Sequence, residues 1–279
     1  MNYRHAYHAG NFADVLKHTA LVALLSYLKK KETPFAVIDT HAGSGLYRLA
    51  GDEALRTKEA ESGIVRLGDV SEGPPALLEY LALVRGMGEG IYPGSPLIAA
   101  RLKRSSDRLV AIEKHPEEEE ALARVLKPFP RARAIHADGY RTLPSLLPPP
   151  ERRGIVLIDP PYERETEFSD LTRAVAEGLR RFATGTFVVW LPLKADAPAD
   201  RLGGEMMASG AKRLVRIDFD TAPGLSRDDG PLLACALLVV NPPFGFAGEM
   251  QAVLAVLAPR LGAAADTAAE ARVAILASD

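Results

Sequence analysis

Asp159-Pro160-Pro161-Tyr162 concentrates more chemistry than any other stretch of this chain. It follows the apolar run Gly154-Ile155-Val156-Leu157-Ile158, the pattern of a parallel strand buried on both faces. Asp159 then sits at the carboxyl end of that strand, where open α/β sheets bind ligands. The prolines stop the strand and leave carbonyls without adjacent N–H donors. Tyr162 adds a flat face. An acidic acceptor, a bare carbonyl and an aromatic plane suit a planar ring bearing an exocyclic amino group. The acceptors hold the two N–H protons while the ring stacks. The nitrogen lone pair is drawn out of conjugation and aimed at an electrophile. The plainer reading of the four residues is a loop that ends a strand.

Three other strand ends carry matching groups. Phe35-Ala36-Val37-Ile38-Asp39 reads as a first buried strand leading into Thr40-His41-Ala42-Gly43-Ser44-Gly45, where Gly43 and Gly45 allow a ligand close to the backbone. Asp107 to Glu113 reads as a second strand ending on a carboxylate suited to two ribose hydroxyls. Arg131 to Gly139 contains a third, with Asp138 placed to accept from an adenine amino group. Two glycines and several carboxylates along one sheet edge suit a nucleoside-bearing cofactor with a positive centre. A nicotinamide dinucleotide wants Gly-x-Gly-x-x-Gly, and Arg48 stands where its third glycine belongs. S-adenosylmethionine fits better: its electrophile is a sulfonium methyl. In-line transfer then depends on positioning, with the reacting atoms about 3 Å apart. The histidines and the lone Cys235 lack metal-ligand spacing, so no metal is expected.

These residues need a sheet to hold them. Further strands are expected over 186–190, 214–219 and 233–240, which makes an α/β fold with a seven-stranded, mostly parallel sheet. A second Pro-Pro at 242–243 reads as a strand stop far from the ligand edge. Helical periodicity covers 13–30, preceded by an extended arm over 3–11. His18 reads from that periodicity as a helix-surface residue. About 50 residues, with a helical stretch near 76–84, separate Gly45 from Ser95-Pro96, read as the N-cap and first position of the helix expected after the glycine loop. The expected division is a methyltransferase domain over 1–45 and 94–279 with an inserted helical subdomain over 46–93. The Ala-rich tail after about residue 262 carries no readable pattern.

Composition narrows the class. The chain has 279 residues, 47% hydrophobic and 25% charged, ample for a large core. No apolar run is long enough to span a bilayer, so a cytoplasmic location is expected. The net charge is −2, yet residues 1–31 carry five basic side chains against Asp14 alone. A basic amino-terminal face could meet phosphate and sugar, with Arg4 and Lys17 as candidates. A target base would have to be single-stranded or flipped out.

Tyr3 to Asn11, Asp14-Val15-Leu16-Lys17-His18, Asp39 to Gly43, Tyr92-Pro93-Gly94-Ser95-Pro96 and Asp159 to Glu163 occur in this order. Together they resemble the bacterial 23S ribosomal RNA adenine-N6 methyltransferase J family, from residue 2 to about 245. The resemblance implies a class I (Rossmann-like) methyltransferase fold with an inserted helical subdomain, and methyl transfer from S-adenosylmethionine to N6 of one adenine in 23S rRNA. It places His18, His41, Ser95, Glu113, Asp138, Gly139 and Asp159 around the cofactor. It implies Asp159 as the catalytic acceptor and Tyr3 as a substrate contact, with His5 and Lys17 nearby; Tyr162 supplies the stacking face. A monomer is expected, acting on 23S rRNA that is protein-free or in an early assembly intermediate, with no membrane partner. Leu191 and Phe244 depart from the pattern, standing where Tyr and Trp are expected. Adenine in DNA, a protein amide, or a non-catalytic RNA-binding role stay open on the residues themselves.

Overall fold

A computed structural model describes residues 8–49, 59–164, 166–193, 198–225, 232–263 and 268–277. Tyr3, Arg4 and His5 lie outside the described residues.

Asn11 caps the first helix, α1 (Phe12–Lys29), by accepting from the Asp14 amide at 2.9 Å. Asp14 in the first turn and Lys29 in the last complement the helix dipole. Strand β1 (Ala36–Asp39) leads to a short ladder of β2 (Leu46–Arg48) with β3 (Ile91–Pro93). Between these two lie a 3-10 turn (Ile64–Leu67) and helix α2 (Pro75–Arg85). Helix α3 (Ser95–Leu102) then feeds β4 (Arg108–Glu113), α4 (Pro116–Leu126) and β5 (Ala132–His136). The short α5 (Gly139–Thr142) precedes β6 (Gly154–Ile158), α6 (Glu167–Arg181) and β7 (Thr186–Pro192). The chain continues through α7 (Pro198–Ala208), β8 (Leu214–Asp220), β9 (Ala234–Val240), α8 (Phe246–Leu257) and β10 (Glu270–Ala277).

The main sheet runs β10-β8-β9-β7-β6-β1-β4-β5. From β5 to β7 every pairing is parallel; β9 is antiparallel to both β7 and β8, and β10 to β8. β1 and β6, between parallel neighbours, are buried throughout and carry the continuous apolar runs such strands need. The expected seven strands are therefore eight. β10 comes from the tail read as patternless: it is an edge strand with no fully buried residue, so no period of covered positions marks it in the sequence. Because β9 is reversed, its terminal Asn241-Pro242-Pro243 points away from the ends of β1, β4 and β6, as the strand-stop reading required.

Helices cover both faces. One core joins α1, α2, α3, α4 and α8 to the sheet; the other joins α5, α6 and α7 to it. Leu67, Val70, Leu77, Tyr80 and Leu81, all from 46–93, pack in the same core as α1. α1 is thus covered by the sheet on one side and by this segment on the other. That overturns the surface reading of His18, which is 1% exposed. A helix covered around its whole circumference has no polar stripe for periodicity to reveal. Among the described residues no helix is long and apolar enough to cross a membrane.

Candidate active site

The carboxyl ends of β1, β4 and β6 open into one cavity, bordered by the second turn of α1. His18, His41, Ser95, Glu113, Asp138, Gly139 and Asp159 all line it, joined by Lys17. Every cofactor residue implied by the resemblance is therefore in one place.

Glu113 is held from both sides. Its Oε2 accepts from the Gly43 amide at 2.8 Å and its Oε1 from the His115 amide at 2.7 Å. Each oxygen keeps a lone pair for a further donor, which suits a vicinal diol. Gly43, at φ 58, turns its amide towards the carboxylate in a conformation that favours glycine. Asp138 caps α5, accepting from the Arg141 amide at 3.2 Å, and pairs with Lys114 at 2.9 Å. Burial would raise its carboxyl, but Lys114 and the Arg141 amide outweigh that and hold it below the usual range. Gly139 permits a close crossing: a Cβ there would stand 2.1 Å from the Thr40 carbonyl oxygen.

Behind this front lies Asp39. Burial pushes its carboxyl up to about 6, against the Ser95 hydroxyl that donates to it at 2.7 Å. Ser95 was read as the N-cap of α3; Gly94 holds that place, and the Ser95 hydroxyl is turned to Asp39. A buried carboxylate is a stronger acceptor than anything a cap hydroxyl could bond locally. Burial holds His41 below its ordinary value and therefore neutral. Thr40 Oγ1 lies 2.8 Å from His41 Nδ1 and 3.1 Å from the Leu157 carbonyl oxygen, and so holds the imidazole in place.

Asp159 is paired with Lys17, whose ammonium also donates to Asp14 at 2.8 Å. Burial alone would depress Lys17, but Asp14 and Asp159 outweigh it and keep it charged, well above its usual range. Lys17 is 4% exposed. It is not the open phosphate contact that the basic amino-terminal face suggested; its charge is spent on two buried carboxylates. His18 continues the network, Nδ1 lying 2.8 Å from the Tyr92 hydroxyl. Pro161 lines the cavity with Asp159, whereas the stacking candidate Tyr162 is not among its lining residues. Tyr162 sits at φ 53, a left-handed conformation costly for a bulky residue. Its hydroxyl donates to the Trp190 carbonyl at 2.7 Å and holds the ring in that turn.

The family model "Ribosomal RNA large subunit methyltransferase D, RlmJ" matches residues 32–273. The chain belongs to this family. Ribosomal RNA large subunit methyltransferase J of Escherichia coli is 38% identical over 258 residues, covering 91% of each chain. The protein of the same name from Haemophilus influenzae is 36% identical over 266 residues, covering 94% of each. A crystal structure of a Legionella pneumophila protein superposes with a TM-score of 0.87 at 33% identity, covering 96% of this chain and 98% of that one. A probable spermidine synthase from Corynebacterium glutamicum, 13% identical with a TM-score of 0.50, shares the fold alone; 96% of this chain and 77% of that one are covered.

For this RlmJ-family chain the structure adds residues that sequence reasoning missed. Asp14 anchors Lys17, Lys114 tops Asp138, and Tyr47 closes the floor of the cavity. Arg164 grips the buried Glu167 through two bonds, 3.0 and 3.2 Å, at the lip. Only the i to i+3 spacings of Asp14 with Lys17 and of Arg164 with Glu167 left a signal in the sequence. The rest depend on long-range crossings.

Proposed function

We propose that the chain transfers a methyl group from S-adenosylmethionine to the exocyclic N6 of one adenine in 23S rRNA. The observation that carries this is Asp159 standing in one cavity with Glu113 and Asp138, in a ribosomal RNA methyltransferase family member. The residues fit the cofactor. Glu113 offers acceptors for the ribose diol, Asp138 an acceptor for the base, and Ser95 with Asp39 behind it an anionic corner for the ammonium group. When bound, S-adenosylmethionine supplies the methyl on a sulfonium centre.

Asp159 and the bare carbonyls of Pro160 and Pro161 accept the adenine amino protons and turn the nitrogen lone pair to the methyl. Lys17 fixes the Asp159 carboxylate in place and balances its charge. Once methylated, the amino group would be acidic, and Asp159 Oδ1 or water would take the released proton. Tyr162 stacks on the base, its turn held by Trp190. Tyr3 and His5 are assigned by resemblance to the substrate side. A base can reach Asp159 only out of its duplex, which favours protein-free or early-assembly rRNA, met by a monomer in the cytoplasm. Residues 46–93 form an inserted unit on the methyltransferase domain of 1–45 and 94–279.

Labelled S-adenosylmethionine with protein-free 23S rRNA, assembled large subunits and duplex DNA as acceptors tests the reading. Label in protein-free 23S rRNA is the expected result. Label in duplex DNA alone, or in nothing despite measurable cofactor binding, rejects it.

A further inference from the structure

We infer that Glu59, in the segment 46–93, is a positioning residue for Asp159, acting through the first turn of α1. The inference rests on the proposed role of Asp159. Glu59 takes two donors from the residues leading into α1: His8 Nδ1 at 2.8 Å and Asn11 Nδ2 at 2.9 Å. Its hydrogen bond pushes the His8 imidazole above its ordinary value. Asn11 Oδ1 accepts from the Asp14 amide at 2.9 Å, and the Gly10 amide donates to Asp14 Oδ2 at 2.9 Å. Asp14 Oδ1 accepts from Lys17 at 2.8 Å, and Lys17 donates onward to Asp159. One hydrogen-bonded chain thus runs from the inserted segment to the carboxylate that faces the reacting amino group. Asn11, Asp14 and Lys17 are buried, so water cannot readily replace a broken link.

The backbones are seated on each other as well. The Ile64 amide donates to the Gly10 carbonyl at 2.8 Å. A Cβ on Gly63 would lie 2.1 Å from that same oxygen and 2.7 Å from the Asn11 carbonyl carbon. Only glycine lets the segment come this close. A second route reaches Asp14 from the other side: the Tyr80 and Tyr92 hydroxyls are 2.9 Å apart, Tyr92 meets His18 Nδ1 at 2.8 Å, and His18 Nε2 lies 3.9 Å from Asp14 Oδ1. Tyr80 and Tyr92 belong to the inserted segment. Covering α1 with apolar side chains would need neither the paired bonds of Glu59 nor a polar route that ends on Lys17.

The test uses Glu59→Ala, Glu59→Gln and Gly63→Ala in the full chain. Amide exchange at residues 10 and 14, and the Lys17 ammonium signal, are read without cofactor or RNA. Then kcat and cofactor affinity are measured. In Glu59→Ala both amides should exchange faster, the ammonium signal should be lost to water exchange, and kcat should fall about tenfold, the scale of a broken buried charge-assisted bond. Cofactor affinity should stay within about twofold of wild type, because Glu113 and Asp138 are untouched. Glu59→Gln, which keeps one acceptor, should lie between. Gly63→Ala should reproduce the loss by displacing the backbone. Unchanged kcat in a folded Glu59→Ala, with or without faster exchange, overturns the positioning role. A wild-type protein that transfers no methyl rejects the proposed function instead, and the Lys17 signal in Glu59→Ala then decides the relay by itself.

Discussion

Asp159 concentrates the chemistry that the rest of the molecule arranges. Asp159→Ala should lower methyl transfer at least about a hundredfold, because the acceptor that orients the amino group is gone. Calorimetry should show cofactor binding kept, since the diol and base acceptors are elsewhere. Asp39 supplies a pH signature. Its carboxyl is raised to about 6, and a cationic group bound beside Ser95 favours its ionised form. Cofactor affinity should therefore rise as pH climbs through about 6 and flatten above it, while Asp39→Asn should remove that rise. Stability runs the opposite way. A carboxyl with a higher pKa folded than unfolded binds its proton more tightly in the fold, so the ligand-free protein should lose stability as pH rises from 3.8 towards about 6. Thermal unfolding across that range checks the sign. Asp159, Glu113 and Asp138 were legible in the sequence because each follows a strand that announces its own end. Asp39 bonded to Ser95, and Lys17 bonded to Asp159, were not, because 56 and 142 residues separate the partners.

At the scale of elements, the site depends on how closely the loops after β1 and β5 cross. Gly139→Ala should cost about 1–3 kcal/mol, the range for forcing an atom into packed backbone. Denaturant unfolding, with a matching loss of cofactor affinity, reads the effect. The buried strands were legible from unbroken apolar runs, and α1 from its apolar content. What its periodicity could not show was the cover on its second side, so His18 and Lys17 looked like surface groups. β10 escaped for the opposite reason: an edge strand with Ile275 and Leu276 exposed has no buried face to write into its sequence. Its work is to cover β8. Truncation after residue 267 should leave β8 as an open edge and promote association, visible as aggregation on gel filtration.

At the scale of the molecule, a near-neutral chain handles a polyanion by local charge. The cavity mouth offers Lys114 and Arg164, each already matched to a carboxylate, so long-range attraction contributes little. The KM for RNA should therefore depend on salt less steeply than for a strongly basic RNA-binding protein. Steady-state rates at several ionic strengths measure that slope. The whole arrangement converges on one claim, that Asp159 presents an adenine amino group of 23S rRNA to the cofactor. The direct measurement is nucleoside analysis of protein-free 23S rRNA after reaction with wild type and with Asp159→Ala. Wild type should yield N6-methyladenosine, and the variant at most about a hundredth as much. A methyl group recovered on any other atom, or transfer undiminished in Asp159→Ala, would contradict it.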